Sequence, residues 1–253
     1  MNKTKNMLAI TVVLILMMFN SHLQAAELRL SVAASMTEVF KDLIASFSKI
    51  HPGVTILPNF GPSGGLAKQI NQGAPADLYV SANPKWMIFL EKQNEIVLAT
   101  KITFAHNSLV FVGHKAEHIS SLDDLTRLQR IAIGSPKSVP AGQYAQQALS
   151  KIGIYDQLLA AGKLVMAKDV RQALIYADRG ETDGAFVYKT DALLAKQAVI
   201  LFEVPQDFYD RVTYPLAMTN EGADKPYARD FYNYLGSNDA ARILKKYGFT
   251  IPD

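Results

Sequence analysis

Three glycines and one serine stand together at Gly61-Pro62-Ser63-Gly64-Gly65, and the helical pattern of Leu66-Ala67-Lys68-Gln69-Ile70 follows at once. Such a turn sets backbone N–H groups and a hydroxyl at the positive end of a helix, where an anion is stabilised. Two other readings fit the same residues. Ser63 caps the helix, or it acts as a nucleophile, since Gly61, Ser63 and Gly65 satisfy the G-x-S-x-G elbow of hydrolases. The elbow requires an acid and then a histidine further along the chain. The histidines after Ser63 are His106, His114 and His118, clustered in mid-chain, and no late histidine follows. His114 and His118 are four apart, but they share a loop-like stretch with Gly113 and Lys115 and have no third ligand near in sequence, so a metal site is not expected there.

In open α/β sheets, ligands sit beyond the carboxyl ends of the strands. Applied to the other strand-to-helix junctions, that rule selects Ala34-Ser35, Val139-Pro140-Ala141-Gly142, Asp169-Val170-Arg171 and the strand end Val187-Tyr188. The yield is hydroxyls and backbone amides, with no lysine cluster and no metal-ligand set. That chemistry suits a small oxyanion held by neutral donors. Each residue also has a plainer reading. Ser35 and Glu38 form the S-x-x-E capping box, Asp169 caps a helix, Tyr188 is a strand-end tyrosine, and Trp86 packs in a core. A cleft arginine would signal an organic carboxylate, and Arg171 is the one candidate at these junctions.

The elements that must position these groups alternate. Leu28–Ala33 reads as a strand. A helix follows to about His51, with Val39, Phe40, Leu43, Ile44, Phe47 and Ile50 at helical spacing. Val54–Leu57 is a strand, Leu66–Asn71 a helix, Leu78–Ser81 a strand, and Pro84 opens a helix. Beyond Ser108 the alternation repeats, with strands at Ser108–Val112, Ile131–Ile133, Leu164–Met166 and Ala185–Val187. Helices are expected at Ala141–Ile152 and Val170–Arg179, and two more close the chain. This is an α/β fold of two small units. Without a flexible linker, the crossings are expected in extended strands near Ala105–Ser108 and Thr213–Met218. The closing helices then return to the first unit, and a cleft lies between the two.

Composition narrows the partners. The 253 residues carry a formal net charge of +3 and no cysteine. Disulfide scaffolds, thiol catalysis and cysteine metal sites are excluded, and no basic stripe suggests nucleic acid. The N-terminus has Lys3 and Lys5, an apolar run from Met7 to Phe19, and the small residues Ala25-Ala26. It reads as a secretory signal peptide cleaved after Ala25, the apolar run being too short for a comfortable membrane span.

At these residues the chain resembles the periplasmic molybdate-binding proteins of bacterial ABC importers, within the type II periplasmic binding proteins. The resemblance rests on Ala33-Ala34-Ser35, on Ser63 before Leu66-Ala67-Lys68-Gln69-Ile70, and on Gly73-Ala74-Pro75-Ala76-Asp77-Leu78. Lys85-Trp86-Met87, Asn107-Ser108-Leu109-Val110, Val139-Pro140-Ala141-Gly142, Asp169-Val170-Arg171, Val187-Tyr188, Tyr214-Pro215 and Tyr247-Gly248-Phe249 continue it in order. The resemblance implies a two-lobed fold with the ligand in the cleft between lobes. Lobe 1 is expected as 26–105 plus 217–253, lobe 2 as 106–216, and 1–25 as the signal peptide. It implies a non-enzymatic, monomeric periplasmic protein that captures molybdate or tungstate and hands it to a membrane permease. The donors would be Ser35, Ser63, the amides of Ala141 and Val170, and Tyr188. Molybdenum enters as the oxyanion, with no direct protein–metal ligand and no cofactor. The family often carries a run of serines at the glycine turn, where this chain has Ser63 alone between Pro62 and Gly64. The alternative is the same fold binding another small anion, sulfate or an organic acid.

Overall fold

The computed structural model describes residues 26–115 and 119–252. The expected signal peptide and His118 lie outside the described residues. Two five-stranded sheets organise the chain. The first contains β1 (Ala26–Ala33), β2 (Val54–Gly61), β3 (Leu78–Val80), β4 (Ile102–Asn107) and β10 (Val212–Met218), in the order β2-β1-β3-β10-β4. The second contains β5 (Leu109–Gly113), β6 (Ile131–Gly134), β7 (Leu164–Ala167), β8 (Gly184–Tyr188) and β9 (Val199–Glu203), in the order β7-β6-β8-β5-β9. The sheets share a plan. β1 pairs parallel to β2 and β3, and β6 pairs parallel to β7 and β8. One antiparallel strand then joins each set to an edge, β10 in the first sheet and β5 in the second.

Parallel strands need covering on both faces, and the helices supply that. Helix Thr37–Ile50 buries Val39, Phe40, Leu43 and Phe47 at three- and four-residue spacing against the first sheet. Helix Pro140–Lys151 inserts Tyr144, Ala145, Ala148 and Leu149 beside the second. All five residues of β5 are buried. The closing helices Pro226–Leu235 and Asn238–Lys246 pack back on the first unit. There Lys246 Nζ and Tyr247 OH both donate to Asp42 Oδ2 at 2.9 Å.

The chain passes between sheets at two points. Ser108 alone separates β4 from β5, and the residues between Glu203 and Val212 lead from β9 to β10. All of β10 pairs within the first sheet, so this second crossing precedes Val212 instead of lying at 213–218.

Local expectations also change in detail. Ser35 and Glu38 form no capping box: Ala34–Met36 is a short 3-10 turn, and no side chain caps helix Thr37–Ile50. The helix after the glycine turn begins at Ser63 itself, with Pro62 before it, so Ser63 is its first residue and not its cap. Helix Tyr155–Ala160, which carries no strong apolar period in the sequence, adds to the second unit. Among the described residues no helix is long and apolar enough to cross a membrane.

Candidate functional site

The carboxyl ends of β1, β2, β6, β7 and β8 converge on one small cavity. Its lining includes Ser35, Ser63, Ala141, Val170 and Tyr188, contributed by both sheets. A larger groove runs past Glu38, Arg171, Asp178 and Lys196. Its walls carry side chains of both signs, so the small cavity with its convergent neutral donors is the better anion site.

Each donor is prepared by its surroundings. Ser63 is 1 % exposed. Its Oγ accepts from the Ala82 N–H at 3.0 Å, which leaves the hydroxyl hydrogen to be donated elsewhere. Tyr79 OH donates to the Ser63 carbonyl at 2.8 Å and fixes the turn from beneath. Ser35 Oγ, also buried, stands 3.0 Å from Tyr214 OH.

Ala141 follows Pro140 in the first turn of helix Pro140–Lys151, and Val170 opens helix Val170–Asp178. First-turn amides have no carbonyl one turn back, so they are open to an acceptor outside the helix. The first of these helices sits unusually close to β6. A Cβ at Gly142 would lie 1.7 Å from the Gly134 carbonyl oxygen, so only glycine permits the approach. Asp169 caps the second helix, its Oδ1 accepting from the Gln172 N–H at 2.8 Å.

Tyr188 closes the set. It is 1 % exposed, lines the cavity, and its hydroxyl has no hydrogen-bond partner among the described residues. Edge-on contacts with Tyr144 and Tyr214 hold the ring, with centroids 6.4 and 5.9 Å away. Burial, with the neighbouring phenols and Asp191, holds the Tyr188 hydroxyl well above the usual phenol range, so it keeps its hydrogen.

One acid was missed at the level of sequence. Asp191, three residues past Tyr188, is fully buried. Arg171 Nε lies 3.0 Å from its Oδ1. The guanidinium is not aligned for a hydrogen bond, and both carboxylate oxygens lack a hydrogen-bond partner among the described residues. Burial pushes the Asp191 carboxyl up to about 7; Arg171 opposes the shift and Asp169 adds to it. The same Arg171 Nε reaches across to the Ala34 carbonyl at 3.4 Å. Arg171 is therefore engaged with Asp191 and Ala34 and is absent from the cavity lining.

Among the described residues, no histidine lines the cavity around Ser63. His106 Nδ1 stands by the Val212 carbonyl, and His114 Nε2 by the Asp178 carbonyl. No cluster of metal-ligating side chains occurs among the described residues.

The sequence profile of bacterial extracellular solute-binding proteins matches residues 28–250. The molybdate-binding protein ModA of Escherichia coli is 41% identical over 227 residues, covering 87% of this chain and 87% of that one. The molybdate-binding protein ModA of Haemophilus influenzae is 34% identical over 233 residues, covering 89% of this chain and 91% of that one. Among solved structures, the periplasmic molybdate-binding protein of Azotobacter vinelandii superposes with a TM-score of 0.80 at 25% identity, over 89% of this chain and all of that one.

Proposed function

The chain belongs to the bacterial extracellular solute-binding proteins, and from that premise we propose that it captures molybdate or tungstate and delivers the anion to the membrane permease of an ABC importer. The observation that carries the reading is the Tyr188 hydroxyl, buried in the cavity wall with nothing to bond. Buried polar groups are almost always paired, and a tetrahedral oxyanion supplies the missing acceptor. Ser35 and Ser63 donate from the first unit; the Ala141 and Val170 amides and Tyr188 donate from the second. An anion bridging both holds the units together. In this reading the protein is a periplasmic carrier with no catalysis and no resident cofactor, released by cleavage near Ala25 and acting as a monomer. Its lobes, expected as 26–105 plus 217–253 and 106–216, are taken here as 26–107 plus 212–253 and 109–211, following the ends of β4 and the start of β10.

An organic acid is the weaker reading, because the one arginine near the site is already engaged. Thermal melting with molybdate, tungstate, sulfate, phosphate and small carboxylates is the decisive experiment. A ligand bound to the folded state alone adds about 2.7 kcal/mol at a hundredfold excess over its dissociation constant. Molybdate and tungstate are expected to raise the melting temperature most. A melt moved by none of the oxyanions overturns the reading.

A further inference from the structure

We propose that Asn107 and Tyr214 form a one-way hydrogen-bond relay that fixes Ser35 as a donor, and that these two positioning residues help set the site's preference for proton-free oxyanions. The inference rests on the anion site described above and adds to it two residues outside the cavity wall.

The direction of the relay follows from atoms whose roles are not interchangeable. Asn107 ends β4, one residue before the chain enters the second sheet. The Ser108 backbone N–H, a donor only, lies 2.9 Å from Asn107 Oδ1. That contact settles which end of the amide is oxygen, and Nδ2 therefore faces the other way. Nδ2 donates to Thr190 Oγ1 at 2.8 Å and to the Tyr214 hydroxyl oxygen at 3.3 Å. Tyr214 is fully buried and receives one hydrogen from Asn107. Its own hydrogen has Ser35 Oγ, at 3.0 Å, as its acceptor. Were Ser35 to donate to Tyr214 instead, the phenol hydrogen would be stranded in the interior, which is the costly arrangement for a buried donor. Ser35 Oγ therefore accepts from Tyr214, and its single hydrogen is left for the cavity.

Ser63 is set the same way by the Ala82 N–H. Both serines thus keep their hydrogen free for the cavity, with one of the two lone pairs already occupied. A molybdate oxygen accepts that hydrogen outright; a P–OH group would have to compete for the one remaining lone pair. Burial keeps the Tyr214 hydroxyl well above the usual phenol range, so the relay retains its hydrogen through neutral pH. The Tyr214 ring is held edge-on by Tyr188 at 5.9 Å and by Phe249 at 5.5 Å, which leaves its hydroxyl little freedom to turn away.

The test is a double-mutant cycle read by calorimetry with molybdate at neutral pH. Tyr214→Phe is expected to weaken binding about fivefold to twentyfold in the native background and less than twofold in a Ser35→Ala background, because its effect passes through Ser35. A merely structural role predicts the same loss in both backgrounds, and that result overturns the relay. Asn107→Asp provides a second route should Tyr214→Phe fail to fold. The carboxylate still accepts from Ser108 but draws the Tyr214 hydrogen toward itself, so Ser35 must donate to Tyr214 and offer a lone pair. Its loss in the native background is expected to exceed its loss in Ser35→Ala at least fivefold, and inorganic phosphate is expected to lose less affinity than molybdate. Equal losses in the two backgrounds overturn the relay while leaving the anion site standing. A native protein that binds no oxyanion overturns both.

Discussion

The Gly64 N–H donates to the Ser138 carbonyl at 3.0 Å, a direct bond between the two units beside the cavity. It forms because Gly64 has no side chain. A Cβ there would stand 2.4 Å from the Trp86 ring and 2.8 Å from the Ser138 oxygen. Trp86 thus packs as expected, but against the glycine turn, so it shapes the surface on which the second unit closes. Gly64→Ala must displace one or both neighbours. Overpacking of this kind costs about 1–3 kcal/mol of stability. Affinity for molybdate is expected to fall at least tenfold besides, measured by calorimetry beside a melt without ligand. Unchanged affinity would show that binding does not need this contact.

Tyr188→Phe separates binding from folding by the sign of its effects. Removing a buried hydroxyl that has no partner lifts a desolvation cost, so the ligand-free protein should melt at the same temperature or slightly higher. The same change deletes a donor to the anion, and affinity is expected to fall by about 1–3 kcal/mol. Parallel losses in stability and affinity would mean that the hydroxyl is satisfied in the free protein.

Ser63→Ala has the opposite signature. The Ala82 N–H loses its acceptor and is left buried, so stability is expected to fall by about 1–3 kcal/mol. Binding should weaken along with it. A melt that is unmoved while affinity collapses would show that the Ala82 amide finds another acceptor.

How the sequence encodes this site divides along one physical line. Ser35, Ser63, Ala141, Val170 and Tyr188 all stand at junctions between strands and helices, where glycine, proline and hydroxyl residues punctuate the apolar pattern. The rule that ligands gather at such junctions is local, so it can be applied without a structure. The parallel strands and their covering helices are legible for the same reason. Asn107 and Tyr214 stand instead in the strands that carry the crossings. Both fall in motifs that carry the family resemblance, yet nothing local distinguishes them from core positions. Their roles depend on contacts with residues 83 and 179 positions away. The Ser35–Glu38 spacing misleads for a related reason: the serine oxygen that would cap the helix goes to Tyr214. Asp191 is hidden by its setting, since nothing in the local sequence shows that the acid three residues past Tyr188 is buried.

Asp191 predicts a pH dependence with a definite sign. Its folded pKa is raised to about 7 by burial, against about 3.9 for an unfolded aspartate. Between those values the folded state binds the extra proton, so this group's stabilising contribution is greatest below about pH 4 and is lost as pH rises to about 7. Asp191→Asn removes the titration. The difference in stability between variant and native protein, from denaturant melts, should therefore shift in favour of the variant across that window. Parallel curves from pH 4 to 8 would show that Arg171 holds the carboxylate charged throughout.

The last prediction concerns selectivity and follows from the lining. The proposed donors are hydroxyls and amides, and Asp169, the one acid among the cavity residues, has turned an oxygen to the Gln172 amide. Molybdate and tungstate are fully deprotonated at neutral pH and only accept hydrogen bonds. Hydrogen phosphate brings a proton that needs an acceptor, and without one a buried donor goes unpaired at a cost of about 1–3 kcal/mol. Sulfate is a bare acceptor too, so only size can exclude it. Its shorter bonds leave its oxygens short of donors fixed by two packed units, and the Gly64–Ser138 contact limits how far the units can draw together to follow them. The expected order is molybdate near tungstate, then sulfate much weaker, then phosphate, measured by competition calorimetry at neutral pH. Phosphate binding as tightly as molybdate would place an acceptor in the cavity, with Asp169 turned inward as the first candidate. Sulfate binding tightest would show that the donors converge on a smaller sphere than molybdate requires.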